Sequence, residues 1–84
     1  MADLINRGWS NVESNPSAAK AAFKQALDIQ GGNAAANYGY GYSTLRSGDA
    51  AGARPFLCLA LKDRDVDTQR EVQSLLDQNN LVCP

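Results

Sequence analysis

A chain of 84 residues makes one domain at most, and a core that small is marginal, so a disulfide, a partner or further repeats are expected to add stability. Hydrophobic residues make up 44% and charged residues 20%, the balance of an ordinary folded soluble chain rather than of a disordered one. The net charge is −1 with acids and bases mixed along the chain, which removes the basic footprint of a nucleic-acid binder; no basic amphipathic stretch suits direct contact with a membrane.

Leu4, Ile5, Gly8, Trp9 and Val12 recur at helical spacing and predict a first helix near residues 3–14. Asn15 followed by Pro16 reads as an N-cap and a first helical residue. The stripe Ala19, Ala22, Phe23, Ala26 and Leu27 then predicts a second helix near 16–30. Gly31-Gly32 stops it, and Asn33 caps a third helix near 34–46 that carries Tyr38, Gly41, Tyr42 and Leu45. Gly48-Asp49 is a turn whose aspartate caps a fourth helix near 50–62. Thr68 with Glu71 resembles a capping box, with Asp67 as a competing cap, and opens a fifth helix near 67–78 whose buried face is Val72, Leu75 and Leu76. Short turns make consecutive helices antiparallel neighbours, so the fold class is all-α. The longest purely apolar run, Phe56 to Leu61, is too short to cross a bilayer, and Met1 to Arg7 has no charged-then-apolar signal pattern.

The helices repeat. Ala19 pairs with Ala53, Phe23 with Leu57, Ala26 with Ala60 and Leu27 with Leu61, each 34 residues apart. Gly8 pairs with Gly41, Trp9 with Tyr42 and Val12 with Leu45 at a spacing of 33, so the first internal turn is one residue short. This period, with Gly41, Gly48-Asp49, Ala53, Leu57 and Ala60-Leu61 in one copy and Gly8, Ala19, Phe23 and Ala26-Leu27 in the other, resembles the tetratricopeptide repeat. The resemblance covers about residues 2–64, with 65–80 as a closing helix. It implies a single domain over 1–84: repeat one about 2–32, repeat two about 33–65 and a capping helix about 66–80, stacked as a short right-handed α-solenoid of five helices. Besides the short first internal turn, the sequence departs from the family pattern in three ways. Pro55 lies inside the fourth helix and is expected to bend it, the repeat ends at Gly31 and Asp65 are not proline, and two repeats are fewer than the three that usually stand alone.

The resemblance also implies a concave groove lined by the first helix of each pair, binding a peptide or protein segment. It maps Asn6, Trp9 and Glu13 from the first helix onto that groove, Tyr38, Tyr42 and Arg46 from the third, and Gln69 and Gln73 from the fifth. Trp9 and Tyr42 are expected side by side, either as contact residues with polar tips or as core rings. Glu13 and Arg46 either orient a charged ligand or are solvated helix ends. The family's carboxylate clamp needs lysine and asparagine where Ile5, Trp9 and Gly39 stand, so binding of a chain terminus is disfavoured. In Tyr38-Gly39-Tyr40-Gly41-Tyr42, each glycine costs a helix about 1 kcal/mol relative to alanine, and close helix approach at Gly41 supplies a reason.

Catalysis is not expected, because the chain has no histidine to serve a serine or cysteine nucleophile and no phosphate-cradling loop. Nor is a cofactor or metal: two cysteines without histidine make a poor zinc set, and the alternate acids Asp63, Asp65 and Asp67 lack the later residues of a calcium loop. Cys58 and Cys83 are either two buried small hydrophobes or a disulfide holding the last helix. A disulfide would put the domain in a periplasm or outside the cell; thiols would leave a cytoplasmic site open. The functional expectation is a protein-interaction module. The alternative is a structural or self-associating domain of a larger protein, with homo-oligomers among its forms.

Overall fold

The computed structural model describes residues 2–83, with Met1 and Pro84 of the expected 1–84 domain lying outside the described residues. Five α-helices and no strand occur among them: α1 Ala2–Asn11, α2 Pro16–Ile29, α3 Ala34–Arg46, α4 Ala50–Ala60 and α5 Val66–Gln78. α1 packs on α2, α2 on α3, α3 on α4 and α4 on α5, and α1 also touches α3, so the elements form stacked hairpins.

Short polar side chains set the helix starts. Asn15, Asn33 and Asp49 accept hydrogen bonds from the backbone N–H groups of Ala18, Ala36 and Gly52 at 3.2, 2.9 and 2.9 Å, which satisfies donors that a helix leaves open. α1 ends at Asn11 rather than near residue 14. Asn15 precedes a proline and is held out of the helical region (φ −147°, ψ 78°), so the chain leaves the helix within residues 12–14. α5 begins at Val66, and its cap is Asp65, not Asp67 or Thr68. The Asp65 carboxylate accepts from the Asp67 N–H at 3.0 Å and from the Thr68 hydroxyl at 3.2 Å, which uses up the threonine that the expected capping box required. Pro55 is exposed inside α4, which runs unbroken across it from Ala50 to Ala60.

Two helices end on reversed turns of the same design. After α3, Gly48 takes φ +93°, and the N–H groups of Gly48 and Asp49 donate to the carbonyls of Leu45 and Thr44. After α5, Asn80 takes φ 56°, and the N–H groups of Asn80 and Leu81 donate to Asp77 and Leu76. That second turn folds the tail back over α4. Leu81 packs on the core, and Cys83 is joined to Cys58 with their Cα atoms 5.6 Å apart.

The core falls into two clusters, the first centred in the α1–α2 hairpin and the second shared by the α3–α4 hairpin and α5. Phe23 centres the first, with Val12 and Ala19; Leu57 centres the second, with Ala53, Ala60, Val72 and Leu76. Phe23 and Leu57 are both fully buried. Each lies against the glycine of its own hairpin's first helix: a Cβ placed on Gly8 would come within 2.5 Å of the Phe23 ring, and one on Gly41 within 2.8 Å of the Leu57 side chain. The Gly8–Phe23 contact is thus repeated one period later as Gly41–Leu57.

The next hairpin's contribution differs in size. A Cβ at Gly39 would overlap the Phe23 ring, whereas Leu57 shares its cluster with Val72, which stands 33 residues after Gly39. The large ring is matched with no side chain and the smaller leucine with a valine, so both layers fill at similar volume. This accounts for Gly39, whose helix cost otherwise has no return.

The middle helix has its polar groups satisfied locally. Asn37, Ser43 and Thr44 are buried in α3. Asn37 donates to the carbonyls of Gly31 and Asn33, Ser43 to Gly39 and Thr44 to Tyr40, so none is left unpaired in a low-dielectric interior.

Candidate functional site

The three tyrosines of α3 divide by face. Tyr40 is sandwiched between α2 and α4, with the Phe56 ring 4.4 Å away and the Lys20 ammonium 5.5 Å from its centroid. Tyr38 and Tyr42, one helical turn apart, share the opposite face with Trp9 of α1. Ring centroids lie 5.1 Å apart for Trp9–Tyr38, 5.7 Å for Trp9–Tyr42 and 6.3 Å for Tyr38–Tyr42, in edge or tilted arrangements that suit aromatic quadrupoles. All three rings are half-buried. Trp9 is anchored from below by Phe23, its ring 5.3 Å away and near-perpendicular, so the half-buried indole belongs partly to the core and partly to the surface.

Polar stitches tie this face across helices. Glu13 accepts from the Tyr42 hydroxyl at 3.1 Å and from the Arg46 guanidinium at 2.6 Å, joining the turn after α1 to α3. Tyr38 donates its hydroxyl to Glu71 at 3.1 Å, joining α3 to α5. The register is regular: Trp9–Tyr42, Glu13–Arg46 and Tyr38–Glu71 are each 33 residues apart. The face is therefore built by the first helix of each hairpin and by α5 in the same role.

Burial, the charge of Glu71 and the hydrogen bond to it raise the Tyr38 hydroxyl from 10.0 to about 12, and burial with the Glu13 hydrogen bond raises Tyr42 in the same direction. Both groups are neutral at physiological pH, so the formal charges of the face come from its carboxylates and Arg46. Because the folded Tyr38 holds its proton longer than the unfolded one, its contribution to stability is complete below pH 10 and is lost as pH rises toward about 12. Denaturation curves across that alkaline range, compared with Tyr38→Phe, should show a steeper loss in the native protein. Equal slopes would show that folding does not raise the Tyr38 hydroxyl.

Two shallow dips mark the face. One, of about 370 Å³, is lined by Trp9, Ala35, Tyr38, Asp63, Thr68 and Glu71. The other, of about 250 Å³, is lined by Tyr42, Leu45, Arg46, Leu75, Gln78 and Asn79. Of the residues mapped from sequence, Trp9, Glu13, Tyr38, Tyr42 and Arg46 come together here. Asn6 is exposed on α1; it stands in register with Gly39 and Val72, at the position where those residues pack on a preceding hairpin. Gln69 and Gln73 line a separate dip with Leu61, Val66 and Arg70. Gln69 donates to the Asp63 carbonyl and Gln73 to the Asp77 carboxylate. The α5 residues that line the two dips of the aromatic face are Thr68, Glu71, Leu75 and Gln78 instead. Extending the spacing of 33 once more, from Tyr38 to Glu71 and from Tyr42 to Leu75, is the signal that finds them.

A larger dip of about 460 Å³ lies between α4 and the tail, lined by Arg54, Pro55, Cys58, Leu59, Lys62 and Cys83. It has no aromatic wall, and Arg54 is held there by donating to the Val82 carbonyl at 3.2 Å. Among the described residues no group of three or more potential ligands could hold a metal ion, and no helix is long and apolar enough to cross a membrane.

Stacked antiparallel hairpins with a face built from every first helix define a helical-repeat protein. The tetratricopeptide repeat family matches residues 13–78, and the chain belongs to it. Repeats of this family generally mediate protein–protein interaction and are not catalytic. No curated protein and no solved structure matches the chain.

Proposed function

We propose that the chain binds a peptide or protein segment across the face formed by α1, α3 and α5. The observation that carries this reading is the cluster of Trp9, Tyr38 and Tyr42: three half-buried rings, held rigid by Phe23 below and by Glu13 and Glu71 at their hydroxyls. Rigid aromatics with polar tips contribute large contact area at little entropic cost, and they dominate binding energy where they occur at interfaces. The Glu13–Arg46 pair borders the face and contributes orientation more than affinity, since Arg46 and Glu13 are both largely exposed. With Cys58 bonded to Cys83, the reading extends to an oxidising location, periplasmic or extracellular.

The test is capture of partners from native extract by the intact chain, its Tyr42→Ala variant and a control, Ile29→Ala. Ile29 is 66% exposed at the end of α2, so its replacement leaves the fold intact. Tyr42→Ala should weaken capture about tenfold or more while helicity is unchanged, and Ile29→Ala should not weaken it. A folded Tyr42→Ala protein that captures the same partner as tightly as the native chain removes the aromatic face from the reading.

A further inference from the structure

The dip beside Trp9 differs from a generic apolar groove. Two of its walls are rings set at 67° to each other with centroids 5.1 Å apart, and its remaining polar walls include two carboxylates, Asp63 and Glu71. Among the described residues neither carboxylate takes part in an ion pair; the pairs present are Lys24–Asp28 and Arg46–Glu13. Each carboxylate is nonetheless fixed in place. One oxygen of Glu71 accepts from Tyr38, and one oxygen of Asp63 accepts from the Asp65 N–H at 3.2 Å, and the second oxygen of each has no hydrogen-bond partner among the described residues. Ala35 keeps the remaining wall small.

Indole and phenol faces carry negative potential, and fixed carboxylates beside them add charge of the same sign. Such a cavity is complementary to a cation, and an aliphatic stem ending in a cation uses both kinds of wall. We propose that this dip receives a lysine or arginine side chain of the segment bound across the aromatic face. The proposal rests on the peptide-binding reading above and gives it a sequence preference. The neighbouring dip, where Tyr42 and Leu75 stand with the amides of Gln78 and Asn79 and the already paired Arg46, offers no unpaired carboxylate, so the preference belongs to one position of the segment.

A random linear peptide library displayed on phage tests this with the intact chain as bait. Binders that compete with one another and are lost on Tyr42→Ala should share a lysine or arginine at one fixed position. In the strongest of these, replacing that residue with norleucine should weaken binding about tenfold. Glu71→Gln, which keeps an acceptor for the Tyr38 hydroxyl, should weaken the lysine peptide several-fold and leave the norleucine peptide unchanged. Binders that need Tyr42 but share no basic position, or that tolerate norleucine, overturn the cation dip and leave the peptide-binding face standing. A library yielding no binder sensitive to Tyr42→Ala overturns both.

Discussion

Gly39→Val should come close to unfolding the domain, and Phe23→Leu in the same chain should restore it. The Phe23 ring occupies the space a side chain at residue 39 would need, and both are sealed inside the stack. Overpacking of this kind costs about 3 kcal/mol, a large part of the stability of a domain this size. Phe23→Leu alone should cost about 1 to 2 kcal/mol through the space it leaves. The double variant copies the Leu57–Val72 layer of the second hairpin, so its cost should fall about 2 kcal/mol below the sum of the single ones. Urea denaturation of the four proteins measures the cycle. Additive costs would mean that residues 23 and 39 are not partners and that the two layers are unrelated.

Reduction of the Cys58–Cys83 bond is the second large effect. The bond closes a loop across 25 positions of sequence, and constraint of the unfolded chain over that length is worth about 3.5 kcal/mol. For a small domain this lowers the melting temperature by roughly 15 to 25 °C. The loss should be uneven. The tail and α5 are held against α4 by the bond and by Leu81, while α1, α2 and α3 pack on one another without it. Hydrogen exchange after reduction should therefore accelerate first in α5, and with it the site loses the helix that carries Glu71. An unchanged melting temperature, or equal acceleration in α1 and α5, would show that the bond does not hold the last helix.

Much of this architecture is legible in the residues because a repeat states each contact twice. Gly8–Phe23 and Gly41–Leu57 can be read at spacings of 33 and 34, and Trp9 and Tyr42 emerge as neighbours for the same reason. Gly39 was not legible. Its partner Phe23 belongs to the preceding hairpin, and the equivalent contact in the next layer is made by residues of other sizes, Leu57 and Val72, so no identity repeats. Glu71 was hidden by a local alternative. Thr68-x-x-Glu71 has the pattern of a capping box, yet Asp65 takes the cap, and Glu71 is left to face Tyr38 across the stack. Gln69 and Gln73 stand two positions before Glu71 and Leu75, the residues that continue the spacing of 33, and so fall on another side of α5.

The two layers of the stack are equivalent, and through-space proton contacts measured by nuclear magnetic resonance test that equivalence most directly. Ring protons of Phe23 should show strong cross-peaks to the α-protons of both Gly8 and Gly39. Methyl protons of Leu57 should show them to the α-protons of Gly41 and to the methyls of Val72. A Phe23 ring that contacts only one of its two glycines, or a Leu57 side chain remote from Val72, would contradict the stacked-repeat arrangement and the shared face built on it.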